Sequence, residues 1–369
     1  MKTVAIALFT VVSVAFLFAQ SGASKPLRIY VVDTEGGKAA LWIAPSGQTV
    51  LVDSGSPGGR DTDRIMAAAA EAGVKQIDLL VSTHYHVDHI GGIQELAKRM
   101  PIKTFVDHGP SVEEREQVQG FQAAYKELYE KAQHLVVKPG DRLPLKDLDW
   151  RIVTSAGQVL KTPLPGGGKP NPACASYTPK DANPADENSQ SVGSAIAFGQ
   201  FRAIDLGDLL WYNEHELMCP NNPIGTVDLY LVSHHGLDQS GSSVLVHGVQ
   251  PRVAVMQNGT RKGAGAQAMP TMRTSPGLED IWQLHWSYGA GIEQNSAGVF
   301  IANVDDNQTI ANVLTAPPGS GAQGARGASG PPPPHTPAFW IKIAAEQDGS
   351  FTVSNSRNGF SKTYAAKKK

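Results

Sequence analysis

The feature that most constrains this chain is an apolar run ending in a knot of imidazoles and a carboxylate. Ile77-Asp78-Leu79-Leu80-Val81-Ser82 reads as a strand buried on both faces, and Thr83-His84-Tyr85-His86-Val87-Asp88-His89 follows without a spacer. Residues two apart on an extended segment point to one side, so His84 and His86 can hold one ion together. The chain must then turn into a helix, and Asp88 and His89 at that turn can face a second ion. Gly91 and Gly92 let the backbone pass close by without a Cβ clash. The plainer reading is a polar strand end, but of only 11 histidines in the chain three fall here, around Asp88. Imidazole and carboxylate suit zinc, manganese or iron, and paired ions lie roughly 3.5–4 Å apart.

Around this motif, short strands are expected at Leu27 to Val32, Ala40 to Ala44 and Val50 to Val52, the last ending at Asp53. A helix is expected over Thr62 to Ala72, closed by Gly73, and a longer one over Val112 to Gln133 with a solvated face. Leu135 to Val137, Leu148 to Val153, Ser194 to Asp205, Val227 to Ser233 and Val253 to Gln257 read as further strands. Leu278 to Trp286 looks helical, with Trp282, His285 and Trp286 near one stripe, and a packed face is preferred to a ligand cage. Gly157 to Gln190 is a long connection without periodicity, of the kind that is functional or disordered. Ala316 to Pro337 is Gly/Pro-rich and reads as a linker or exposed loop between a domain spanning 25–315 and a hairpin and basic tail over 338–369.

The His84 to His89 motif resembles the signature of the metallo-β-lactamase superfamily. The order of later features agrees: Leu51-Val52-Asp53-Ser54-Gly55, Ile204-Asp205-Leu206-Gly207-Asp208, and Val232-Ser233-His234-His235-Gly236. The last two, with Pro139-Gly140-Asp141 before them, are most similar to the hydrolase domain of competence-type DNA-uptake channel proteins. The likeness runs from about Leu27 to Asn303. It implies an α/β αββα sandwich: two mixed sheets face to face, helices outside, and the site at one sheet edge. It also implies that His84 and His86 hold one Zn2+, that Asp88, His89 and one of His234 and His235 hold another, and that Asp208 bridges them. His234 is preferred because it directly follows the strand, with His235 nearly its equal. Asp53 would orient the histidine loop, and Asp205 would be a strand residue rather than a ligand.

One departure bears on the metal. The family often places a further histidine about twenty residues before the bridging aspartate, where this chain has Asp186-Glu187-Asn188-Ser189-Gln190. Asn188 or Glu187 would supply oxygen there, a harder site that admits Mn2+. The chemistry expected is attack by a metal-bound hydroxide, with Asp88 taking or relaying the proton and Asp208 between the ions. Phosphodiester cleavage leads by the likeness; ester, lactone or β-lactam hydrolysis follows, and a metal-binding module without turnover is the reading of another class.

Composition limits the alternatives. Hydrophobic content is 41%, charged content 18% and net charge -2, which is globular and offers no global pull towards nucleic acid or anionic membrane. Lys2 followed by the uncharged run Val4 to Phe18 and the small residues to Ala23 reads as a signal peptide over 1–23, too short to span a bilayer. A periplasmic or secreted location follows, with a small-molecule or phosphodiester substrate as partner and no later membrane span. Cys174 and Cys219 either pair or remain thiols. His108 either lines the site or sits on a surface loop, and Arg261 and Lys262 read as a solvated turn rather than an anion contact. No G-x-S-x-G elbow or P-loop occurs.

Overall fold

The computed structural model describes residues 25–178, 180–287, 294–304 and 338–367. The signal-peptide and linker segments expected at 1–23 and 316–337 lie outside these residues.

Two large mixed sheets stack face to face. The first has nine strands. Leu27–Val31 lies between the antiparallel strands Ala40–Ile43 and Ile341–Ala345. Thr49–Val52 continues it antiparallel, and Ile77–Val81, Ile102–Asp107 and Gln133–Val136 follow in parallel. Phe351–Asn355 and Ser361–Tyr364 close the far edge. The second sheet runs through Ile301–Asn303, Asp280–His285, Val253–Met256, Leu229–Leu231 and Phe201–Asp205 as parallel neighbours. Gly193–Phe198, Asp149–Ser155 and Gln158–Val159 then extend it antiparallel.

Strand alternation sorts the side chains into layers. Leu27, Ile29 and Val31 point into the space between the sheets with Trp42, Val50, Trp150, Ile152, Leu229, Val253 and Trp282. Tyr30, Leu41, Leu51 and Leu80 point the other way, under helices Arg60–Ala72, Ile93–Arg99 and Glu116–Tyr129. Ile204, Tyr230 and Ala254 likewise meet helices Trp211–Met218, Ser243–Val249 and Ala268–Arg273. The result is the four-layer αββα sandwich, with Trp42 and Trp150 edge to face at 5.1 Å across its middle.

Four expectations change. Asp280–His285 is a parallel strand, not a helix. Its alternation puts Trp282 and Leu284 into the inter-sheet core and Ile281 on the opposite face, a two-residue period that a loose helical stripe had imitated. The single strand expected over Ser194 to Asp205 is a hairpin, because Gly199 turns back at φ 57°. The helix expected over Val112 to Gln133 is confined to Glu116–Tyr129. The C-terminal hairpin, expected beyond the domain, supplies three strands to the first sheet and buries Ile341, Ile343, Phe351 and Val353 in the shared core.

Cys174 and Cys219 form a disulfide, tying the long Gly157 to Gln190 connection to the end of helix Trp211–Met218. Among the described residues no helix is long and apolar enough to cross a membrane.

Trp42 is fully buried at the centre of the interface between the sheets. Trp42→Ala is expected to cost about 3–5 kcal/mol, read as a lower urea midpoint at unchanged m-value.

Candidate metal centre

The site forms where strand ends of the two sheets converge. Thr49–Val52 and Ile77–Val81 are parallel neighbours, so Asp53 and Ser82 leave them side by side. Asp53 adopts a left-handed turn at φ 60° and is wholly buried. Its Oδ1 accepts from Thr83 N at 2.8 Å, and its Oδ2 accepts from Thr83 Oγ1 at 2.7 Å and His89 Nδ1 at 2.8 Å. This carboxylate fixes the histidine loop and aims His89 Nε2 inward, the orienting role the likeness implies.

After His86 the chain makes a four-residue helix, Val87–Ile90, which presents Asp88 and His89. It continues through Gly91, where a Cβ would sit 2.2 Å from Val87 O and 2.4 Å from Pro57 Cδ. Close approach, not a positive φ, demands glycine here.

The second sheet supplies the rest. Asp208 follows strand Phe201–Asp205 across the tight Gly207 turn, whose carbonyl accepts from His234 N at 3.1 Å. His234 and His235 then take left-handed φ values of 52° and 57°. Side chains rarely adopt this conformation, and strain of order 1–3 kcal/mol per residue persists only where the surroundings enforce it. Here it turns His235 inward, with Nδ1 donating to Gln257 O at 3.1 Å.

Four ligand-type atoms meet in one cluster. His89 Nε2 and His235 Nε2 are 3.3 Å apart, each 3.2 Å from Asp208 Oδ2, and lie 3.6 and 3.3 Å from Asp88 Oδ2. A tetrahedral ion with ligands at 2.0–2.2 Å has edges of about 3.3–3.6 Å, so these contacts outline a zinc-sized cage. Beside it, His84 Nε2 and His86 Nδ1 face each other at 3.0 Å. Thr83 Oγ1, which donates to Asp53, can only accept from His84 Nδ1 at 3.1 Å, and His86 Nε2 lies between Glu113 Oε1 at 3.2 Å and the donor Arg115 Nη2 at 2.9 Å. His84 Nε2 therefore carries a lone pair turned towards His86, open to a cation. Asp208 Oδ1 is buried and has no hydrogen-bond partner, which leaves it open to a metal; Asn188 Oδ1 is likewise unpartnered, but no described contact joins its side chain to the histidines. Among the described residues, Asp88, His89 and His235 form one group that could hold a divalent ion and His84, His89 and Asp208 an adjoining one, while His86 groups with Glu113 and Asp186.

Several sequence expectations are revised by these contacts. His235, not the preferred His234, closes the cage; His234 Nε2 lies 3.6 Å from Asp208 Oδ2, and its Nδ1 meets Ser240 Oγ at 3.1 Å. Backbone handedness decides between them, which strand position alone does not reveal. His108 does not line the site, because it is buried with Nε2 on Glu187 Oε2 at 3.1 Å. Glu187 is unavailable as a ligand, since it also accepts from Tyr85 N at 3.2 Å and Val112 N at 2.9 Å. Lys262 is no solvated turn residue; its Nζ donates to Asp88 Oδ2 at 2.5 Å. Asp205 pairs with the buried Lys38, behind the site. Lys38 and Glu113 carry no local motif and were not legible in the sequence, while Glu187, expected as a possible oxygen ligand, is instead a clamp on Tyr85, His108 and Val112.

The charges are tightly coupled. Burial pushes the Asp88 carboxyl up, but Lys262, His89 and His235 together hold it well below the usual range. Asp208 is held down likewise by His235, His89 and His234 against its burial. Burial and the neighbouring His89 and His86 drive His84 well below an ordinary imidazole. Burial disfavours charge on His89, yet Asp208, Asp53 and Asp88 raise it to about 10. Without metal, His89 thus keeps its proton at neutral pH and must release it to ligate.

Three outcomes follow. Zinc binding at pH 7 releases at least one proton, and apparent affinity rises with pH towards the raised His89 value; titration calorimetry in buffers of different ionisation heat measures both. His235→Ala loses one ion of the pair by elemental analysis, whereas His234→Ala retains both. Asp53→Asn, which removes no ligand, weakens zinc binding roughly 10–100-fold, seen in competition with a chromophoric chelator.

Comparison with known proteins agrees with this geometry. Residues 33–183 match the family model described as the metallo-beta-lactamase superfamily. ComE operon protein 3 of Bacillus subtilis is 29% identical over 189 residues, 51% of this chain and 20% of that protein. Competence protein ComA of Neisseria gonorrhoeae is 24% identical over 59% of this chain and 26% of its own length. A hydroxyacylglutathione hydrolase of Klebsiella pneumoniae is 27% identical over 122 residues, 32% of this chain and 39% of the relative. This chain therefore spans well under half the length of each of these relatives. Among solved structures, CmlA, a diiron beta-hydroxylase from Streptomyces venezuelae, aligns at a TM-score of 0.37 and 16% identity over 70% of this chain and 48% of its own. The family model covers the His84 to His89 loop, and the competence-type relatives extend the similarity over 51% and 59% of this chain, so residues 33–183 carry the match to the metallo-beta-lactamase superfamily.

Proposed function

We propose that the chain is an exported metal-dependent hydrolase whose substrate is a phosphodiester or a related anion. The observation that carries the reading is the cage of Asp88, His89, His235 and Asp208, with Asp208 Oδ1 free to serve a neighbouring ion held by His84 and His86. Zinc ions there, or manganese, supply Lewis acidity and lower the pKa of water towards neutrality. Asp208 holds the two positions together. Asp88, at the open side and partly exposed, is placed to orient a water as a hydrogen-bond acceptor, its carboxylate held ionised by Lys262, His89 and His235. The similarity to competence proteins is what places the phosphodiester first. Export is part of the same reading: the Val4 to Phe18 run behind Lys2 has signal character, and the Cys174–Cys219 disulfide suits an oxidising compartment.

Ester, lactone or β-lactam hydrolysis is the second reading, favoured by the match to hydroxyacylglutathione hydrolases. The zinc- or manganese-loaded protein should be incubated with single-stranded DNA, bis-p-nitrophenyl phosphate and nitrocefin, with metal content measured in parallel. Turnover of the phosphodiesters is expected; turnover of nitrocefin alone reverses the ranking, and full metal occupancy without any turnover makes the chain a metal-binding module. Asp208→Ala is expected to lower kcat/KM by more than the roughly 100-fold limit typical of a supporting residue.

A further inference from the structure

Lys262 stands apart from the other cations near the site. Arg115 reaches His86 Nε2 at 2.9 Å, but its charge is matched by Glu113. Lys38 is sealed behind the site on Asp205. Lys262 is about a third exposed, and among the described residues its ammonium has a single polar partner, Asp88 Oδ2 at 2.5 Å. That same oxygen is a corner of the metal cage, 3.3 Å from His235 Nε2.

Asp88 Oδ2 cannot serve both partners equally. A divalent ion on that oxygen repels an ammonium beside it, and the two charges sit in a partly buried site where screening is weak. The backbone of Lys262 cannot withdraw far. It is bridged to Gly259, whose amide donates to Lys262 O at 2.9 Å, and the Lys262 stem packs against the Gly36 turn, where an added Cβ would lie 3.2 Å from Lys262 Cβ. The four-carbon stem, anchored at its Cβ, therefore lets the ammonium leave Asp88 while keeping it within reach of that carboxylate. A pocket on the other side of Asp88 is lined by His86, Asp88, Arg115, Val118 and Phe121, not by Lys262, and holds no carboxylate other than Asp88.

We propose that Lys262 is a substrate-binding residue that leaves Asp88 when metal binds and takes the anionic oxygen of a phosphoryl or similarly charged substrate group next to the scissile centre. The assignment rests on the hydrolase reading of the metal centre. It makes the lysine a placeholder cation in the metal-free protein and an anion contact in the loaded one. A compact ammonium on a flexible stem suits such an exchange, whereas a guanidinium would favour staying paired in a fixed fork.

The test compares wild type, Lys262→Met and Lys262→Arg as full chains. Zinc affinity and stoichiometry are measured first, then the Kd of inorganic phosphate for the zinc-loaded proteins by calorimetry, then KM and kcat for bis-p-nitrophenyl phosphate. Lys262→Met is expected to bind zinc in full and at least as tightly as wild type, to weaken phosphate about tenfold or more, and to raise KM more than it lowers kcat. Lys262→Arg should recover most of the phosphate affinity. Weaker zinc binding in Lys262→Met would make the lysine a prop of the ligand set, and an unchanged phosphate Kd would leave it no anion role; either result overturns the proposal. A wild type that binds phosphate through Lys262 yet turns over no substrate would preserve this assignment while refuting the hydrolase reading.

Discussion

The site depends on one buried carboxylate. Asp53 holds Thr83 by both its backbone and its hydroxyl and His89 through Nδ1, so it joins the ends of two parallel strands and sets the direction of an imidazole at once. Thr83 in turn receives His84 Nδ1, which leaves His84 Nε2 as a lone-pair nitrogen. With that clamp, two imidazoles, His84 and His89, have fixed headings. The second sheet answers with its own fixed turn at Gly207 and the left-handed pair His234 and His235. Neither half makes a metal cage alone, and the packing of Trp42 against Trp150 between the sheets holds the halves in register.

Much of this was legible in the sequence because its causes are local. The strand Ile77–Val81 and the histidine loop are adjacent in the chain, and their spacing reports which side chains can point together. The more distant contributions of Asp208 and the 234–235 pair were reachable only through family likeness, since no local pattern ties them to His84. What escaped was tertiary. Lys38 and Asp205 meet across 167 positions, and Glu187 reaches Tyr85 across 102. Trp282 and Leu284 occupy alternate positions of a strand, yet Trp282, His285 and Trp286 can equally be drawn as a helical stripe, and six residues are too few to separate the two periods.

The same distinction explains the choice between adjacent histidines. Position after a strand predicts which residue arrives first at the site, but side-chain direction depends on the hand of the backbone. Two successive left-handed residues invert the direction that an extended exit would give, and His235 faces the metal cage while His234 reaches Ser240.

The first strand, Leu27–Val31, has Ala40–Ile43 on one side and Ile341–Ala345 on the other. Its second neighbour is synthesised only long after it, at Ile341–Ala345. Until then the row of peptide groups along that strand has no mate, and the nascent molecule carries an open sheet edge beside a half-covered core. The same pairing means that a proteolytic nick between residues 304 and 338 would yield two fragments still clasped by backbone hydrogen bonds and a common interior, so the protein should tolerate being made as two pieces there.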